Sequence, residues 1–250
     1  MRLQDMTWEA VDGLSKETPV VFPVAALEQH GRHLPLFTDS LLLGEVVRRV
    51  SPRFEDRVLF APLQWLGNSD HHLDFAGTLS AAPRMYLDLL AGLLENFLGH
   101  GFRRLVLLNG HGGNIVPAAQ ALFEVRQRHR KRDDLLLLSA TYWTLGARPD
   151  VPGVVQDRMG HACEWETSMM LRLDPKLVGD LKGVDPVPFG NGFEPANRGW
   201  ITRERSTSGH MGDPRAATAE KGEALFRHFT DDVASLLDRV LAWDGQSWDG

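Results

Sequence analysis

The stretch "RRLVLLNGHGGNIVPAAQALFEVRQ", Arg103 to Gln127, passes from an apolar run through a glycine-rich turn into a helical pattern. Arg103 to Gly110 is continuously apolar at its centre, as expected of a strand buried on both faces. From Ile115 to Arg132 the apolar residues recur at 3.6-type spacing, which predicts a helix with one buried side. Similar pairs flank it. "PVVFPVA" (Pro19 to Ala25), "RVLFAPLQ" (Arg57 to Gln64) and "DLLLLSATYW" (Asp134 to Trp143) read as strands. "SLLLGEVVRRV" (Ser40 to Val50) and "PRMYLDLLAGLLENFLGHG" (Pro83 to Gly101) read as helices, with Pro83 suited to a first turn and Gly99 and Gly101 to an end. A later helix is predicted from near His161 to Pro175 and a terminal one from about Pro214 to Trp243. Gly179 to Gly212, rich in Gly and Pro, reads as long surface loops. Strand and helix in alternation predict an α/β fold: one domain over 1–250, with a mostly parallel sheet and helices on both faces.

The totals exclude several classes of function. The chain has 250 residues, 27 Lys plus Arg against 33 Asp plus Glu, and a net charge of −6. Neutralising a phosphate backbone needs a basic face, so no nucleic-acid partner is expected. The arginine-rich piece Arg126 to Asp134 reads as the solvated end of a helix. Mean hydropathy is −0.22, and no apolar run approaches the roughly 18 residues of a membrane span. No targeting segment is read at "MRLQDMTWEA". One cysteine, Cys163, leaves no internal disulfide. A cytoplasmic protein with no membrane partner is expected.

In open parallel sheets, sites form where strand ends turn toward the next helix. The four predicted strands exit into "LEQHG", "WLGNSDHH", "NGHGGN" and "TYWTLG", where nearly all the chemically capable residues lie. Glu28 and His30, two apart, point to one side of an extended segment. Asp39 follows a short loop, His111 follows the third strand, and Glu166 lies on the later helix. Two imidazoles and three carboxylates form a mixed N/O set of the kind favoured by Zn, Mn or Fe. Asp39 is placed to bridge two ions. His161 is suited to pass a proton to a leaving amine. Ser69 and one of the His71/His72 pair, with His72 favoured, are candidates to reach the substrate; loop hydrogen bonding is the other reading. Trp143 either walls the pocket or is core. His33 serves either the metal surroundings or the structure of its turn. Cys163 reads as a small buried residue rather than a thiolate ligand. "NGHGGN" lacks the order of a phosphate-binding loop. A nucleotide-binding module and a metal-binding regulatory protein without catalysis stand as rivals to an enzyme.

Taken in order, "PVAALEQHGRHLPLFTD", "GTLS", "LLNGHGGN", "HACEWETS" and "SGHMGDPRAAT" resemble the creatininase (creatinine amidohydrolase) family from about Val20 to Gly222. The resemblance implies an α/β fold around two divalent metal ions, in homo-oligomers that are commonly hexamers. It places Glu28, Asp39 and His111 on one ion, and His30 and Glu166 on the other with Asp39 bridging. It makes His161 the proton shuttle. The implied activity is hydrolysis of a non-peptide or cyclic amide C–N bond in a small molecule. Other members of the family deformylate a formamidopyrimidine nucleotide or trim a cofactor-precursor peptide. Creatinine-opening members carry a Glu where this chain has Gly113 and a Trp where it has Asp157, although Trp143 matches one of their pocket tryptophans. Cys163 replaces the glycine of "HAGxxETS". Those departures put creatinine in doubt as the substrate.

Overall fold

The computed structural model describes residues 1–188, 190 and 192–248. Among them, β1 (Val20–Val24), β2 (Leu59–Phe60), β3 (Arg104–Asn109) and β4 (Leu136–Thr141) form a parallel sheet in the order β2-β1-β3-β4. The α-helices are α1 (Trp8–Asp12), α2 (Thr38–Val50), α3 (Pro83–Gly99), α4 (Ile115–Arg128), α5 (Glu164–Leu173), α6 (Thr202–Arg205) and α7 (Ala219–Ala242). Successive strand side chains point to opposite faces, so one strand feeds two cores. Val106 and Leu108 of β3 join Leu42, Met169 and Phe226 from α2, α5 and α7. Leu105 and Leu107 join Tyr86, Leu90 and Val125 from α3 and α4. Covering both faces is why the strands read as unbroken apolar runs.

Several boundaries differ from the sequence expectation. The second strand shrinks to two residues because its register slips: Ala61 N–H still donates to Val21 O (2.8 Å), but Leu63 does not continue the alternation. Pairing resumes beyond it, where Gln64 N–H donates to Pro23 O (2.9 Å) and Ala25 N–H to Gln64 O (2.9 Å). Thr141 ends β4, and Tyr142–Thr144 form a 3₁₀ turn. The terminal helix begins at Ala219, where Thr218 Oγ1 accepts the Lys221 N–H at 3.3 Å; Pro214–Ala216 are a separate turn. His161 does not open α5. It pairs with Met211 in an antiparallel bridge, and Ala162 takes a positive φ of 47° before the helix starts at Glu164. The 179–212 stretch is more than surface loop, since Thr202, Ser206 and His210 are buried.

Two asparagines of "NGHGGN" lock three strand exits together. Asn109 Nδ2 donates to His111 O (2.7 Å), while its Oδ1 accepts the His111 N–H (3.1 Å). Asn114 Nδ2 donates to Ala25 O (3.0 Å), and its Oδ1 accepts the Asn68 N–H (2.9 Å). Gly110 lets this loop lie against α2, because a Cβ there would stand 2.8 Å from Leu43 Cβ. The chain beyond β1, β2 and β3 is thereby held at one end of the sheet.

Candidate metal centre

At that end the five candidate ligands converge, and all are buried. Glu28 and His30 come from the exit of β1, Asp39 from the first turn of α2, His111 from the exit of β3 and Glu166 from the first turn of α5. His30 Nε2 lies 3.1 Å from Asp39 Oδ1 and 3.7 Å from Glu166 Oε1. His111 Nδ1 lies 2.9 Å from Asp39 Oδ2 and 3.3 Å from Glu28 Oε1. Asp39 thus shows one oxygen to each histidine.

The decisive feature is where the ring protons sit. His30 Nδ1 is 3.1 Å from the Glu28 carbonyl, and His111 Nε2 is 2.9 Å from the Asn68 carbonyl. A carbonyl oxygen only accepts, so each ring donates from that nitrogen, and it is the other nitrogen that bears the lone pair once the ring is neutral. Both lone pairs face carboxylate oxygens. Glu28 Oε2 and Asp39 Oδ2 are moreover buried without a hydrogen bond; the 2.9 Å approach of His111 Nδ1 to Asp39 Oδ2 lacks hydrogen-bond geometry. Lone pairs from nitrogen and oxygen aimed at common points fit a cation, and the hard-and-borderline donor set suits a divalent one.

The same electrostatics appear in the proton affinities. Burial alone would lower the pKa of His30, but Asp39 and Glu166 outweigh it and raise it well above the ordinary value. His111 is likewise disfavoured by burial and raised, by Glu28 and Asp39. The Asp39 carboxyl goes the other way. Burial opposes its ionisation, yet the two histidines pull its pKa below the usual carboxylate range. In each case the cluster demands positive charge at its centre.

Around the ligands stands a ring of supporting groups. Glu166 Oε2 accepts the Cys163 N–H at 3.4 Å, which caps α5 and leaves Oε1 toward His30. His161 Nδ1 is 3.6 Å from Glu28 Oε1, its ring 4.4 Å from that of His30. Burial, with His30 next in weight, pushes the His161 pKa down to about 3, so the imidazole is neutral. His72 Nε2 lies 3.4 Å from Glu28 Oε1, and burial with the neighbouring histidines also lowers its pKa.

A family model described as creatinine amidohydrolase matches residues 4–237. The mycofactocin precursor peptide peptidase of Mycolicibacterium smegmatis is 32% identical over 231 residues, spanning 90% of this chain and 85% of that protein. The chain belongs to the creatininase family. The creatinine amidohydrolase of Pseudomonas putida is 27% identical over 250 residues, 93% of this chain and 94% of its own. A creatininase variant complexed with creatine superposes with a TM-score of 0.81 at 27% identity, covering 96% of this chain and 98% of that one. Solved creatininases include a Zn–Zn form and an Mn form, which with the donor set here supports a divalent metal. The chain is therefore a creatininase-family hydrolase acting on carbon–nitrogen bonds.

Within this creatininase-family site, the remaining sequence candidates separate. Ser69 is buried with Oγ 3.3 Å from His111 Nε2, so it braces a candidate ligand. His72 reaches the cluster. Trp143 packs beside the α7 core, where its ring meets that of Tyr142 edge-on at 4.9 Å. Cys163 is a buried thiol whose pKa is pushed up to about 12 by burial and Glu166, and its Sγ lies 3.8 Å from Met159 Sδ. That is packing chemistry. One residue escaped the sequence reading, and another was the less favoured of its pair. His71, ranked behind His72 on sequence, forms a close grouping with Glu28 and His111. Gln29, between the two conspicuous residues Glu28 and His30, is itself buried in the cluster. Its neutral amide gave no signal beyond its position.

Proposed function

We propose that the chain hydrolyses an amide C–N bond using two divalent ions held by Glu28, His30, Asp39, His111 and Glu166, with Asp39 shared. The observation carrying this reading is the pair of histidine lone pairs facing the two oxygens of Asp39. Bound there, the metal would supply Lewis acidity, activating water and polarising the scissile carbonyl. The chain's own contribution to proton movement is His161. Its Nε2 lies 2.8 Å from the Gln29 carbonyl and donates to it, which leaves Nδ1 unprotonated toward Glu28. A neutral imidazole of low pKa takes a proton from the attacking water only briefly and gives it readily to the leaving nitrogen. Zn, Mn and Fe all suit the donors. The match over residues 4–237 supports one amidohydrolase unit.

For the substrate, the family resemblance put a non-peptide or cyclic amide first, with a formamidopyrimidine nucleotide or a cofactor-precursor peptide as the alternative. The peptidase relative at 32% identity favours a small peptide-derived amide. Gly113 argues against creatinine on steric grounds. A Cβ there would run into the Asn68 carbonyl and come within 2.5 Å of His111 Nε2, so the Glu of creatinine-opening relatives has no place in this loop. Chain loaded in turn with Zn, Mn and Fe should be assayed side by side on creatinine, a formylated pyrimidine nucleotide and short peptides. Peptide turnover that disappears in Glu28→Gln together with bound metal, and in His161→Ala with metal retained, is the expected result. Creatinine turnover exceeding peptide turnover would overturn the substrate reading. A His161→Ala variant of normal rate would overturn the proton route.

A further inference from the structure

The geometry points to Gln29 as a positioning residue that makes two neutral histidines show opposite nitrogens to the metal cleft, protonated Nε2 from His72 and unprotonated Nδ1 from His161. This rests on the proposed amide hydrolysis only for its kinetic consequence. The proton positions follow from contacts alone.

The amide orientation comes first. Gln29 Oε1 accepts the Gly31 N–H at 2.9 Å, and Nε2 donates to Gly209 O at 2.8 Å. Exchanging the two atoms would set acceptor against acceptor and donor against donor. Gly209, at φ 90°, makes the approach possible, since a Cβ there would strike Gln29 Oε1. Nε2 then has one proton left and two imidazole nitrogens within reach, His72 Nδ1 at 2.7 Å and His161 Nε2 at 2.9 Å. His161 Nε2 is already a donor, because the Gln29 backbone carbonyl stands 2.8 Å away and can only accept. The remaining amide proton therefore goes to His72 Nδ1, which must hold a lone pair. Thr202 Oγ1, 2.8 Å from the same nitrogen, can donate to it as well.

Both rings are thus protonated on Nε2, but they are turned differently. His72 offers its N–H to Glu28 Oε1 at 3.4 Å, and His161 offers a lone pair 3.6 Å from the same oxygen. The rings stack at 4.3 Å with planes 27° apart, so one amide sets both. His72 turns an N–H toward the Glu28 carboxylate, at 3.4 Å and short of hydrogen-bond geometry, while the facing nitrogen of His161 stays free to accept a proton. Groups that orient metal-ligating side chains are worth roughly 10- to 100-fold in metal affinity or activity.

The test is Gln29→Glu in the full chain loaded with Zn. A carboxylate keeps the shape but only accepts, so His72 must move its proton to Nδ1 and turn a lone pair toward Glu28. In the wild type, 15N spectra of the imidazole groups should show His72 and His161 as Nε2–H tautomers. In Gln29→Glu the His72 signal should switch to Nδ1–H, and kcat should fall roughly 10- to 100-fold. A wild-type His72 protonated on Nδ1 would overturn the inference, as would a Gln29→Glu variant with unchanged His72 tautomer. Should that variant not fold, the wild-type spectrum decides alone. A wild type with both predicted tautomers but no amide hydrolysis would sink the functional reading and leave the positioning role standing.

Discussion

At position 33 the second histidine of "EQHGRH" acquires a structural task that no spacing rule reveals. Its Nε2 lies 3.1 Å from the Ala162 carbonyl and 3.1 Å from Thr167 Oγ1, so it clamps the left-handed Ala162 between His161 and α5. Burial, with His210 next, lowers its pKa to about 4. The folded chain therefore refuses a proton that the unfolded chain accepts near its ordinary value of 6.5. Stability from this residue is complete above the unfolded pKa and drains away as pH falls from about 6.5 toward 4. A His33→Gln variant, unable to titrate, should lose less stability than the wild type between pH 7 and pH 5, by roughly 2 kcal/mol. Urea unfolding of both proteins at the two pH values measures it, and equal losses would remove His33 from the account.

Among the elements, the contact of α5 with α7 matters most to the centre, because α5 carries Glu166. Gly222 in the first turns of α7 lies against the Ser168 carbonyl of α5, and a Cβ would collide with it and stand 2.9 Å from Arg172 Cβ. Exposed in a helix, Gly to Ala gains about 1 kcal/mol. Here overpacking of about 1–3 kcal/mol should win. Gly222→Ala is expected to lower Tm, and calorimetry that showed it raised would mean the helices part freely. Buried Glu164 ties the same helix to its surroundings, accepting from the Gln156 N–H at 2.8 Å and from Lys221 Nζ of α7 at 2.7 Å. It is conspicuous in "HACEWETS" beside Glu166, yet it faces away from the centre. Spacing on one helix could not separate the two carboxylates; their neighbours do.

For the whole molecule, the candidate centre joins β1, β3, α2 and α5 through buried carboxylates whose charge must be offset, by histidine protons or by a cation. Binding to the folded chain alone adds stability by mass action, about 4 kcal/mol at a free metal concentration of 1,000 Kd. A chelator should therefore lower Tm by several degrees, with recovery on adding Zn or Mn. A chain whose metal content falls to zero with no change in Tm would show that these carboxylates are satisfied in some other way. The same convergence explains why a family match spanning 4–237 goes with a fold so close to solved creatininases. Candidate ligands drawn from distant parts of the sequence require β1, β3, α2 and α5 to be in place together.

Sequence by itself determined the parallel sheet and its two helical layers, because apolar period and length report directly on how many faces of an element are buried. It also marked Glu28, His30 and His111, ionisable side chains at strand exits, and Asp39 and Glu166 in the first turns of helices. It placed the start of α5 too early, passed over Gln29 and ranked His71 behind His72. Those depend on contacts between segments far apart in the chain: the His161–Met211 bridge, the reach of Gly209 to Gln29, the closure of Thr202 on His72. Tertiary structure alone decided which nitrogen of each histidine bears its proton. A tautomer is set by the carbonyl or amide on the far side of the ring, and only folding brings that partner there.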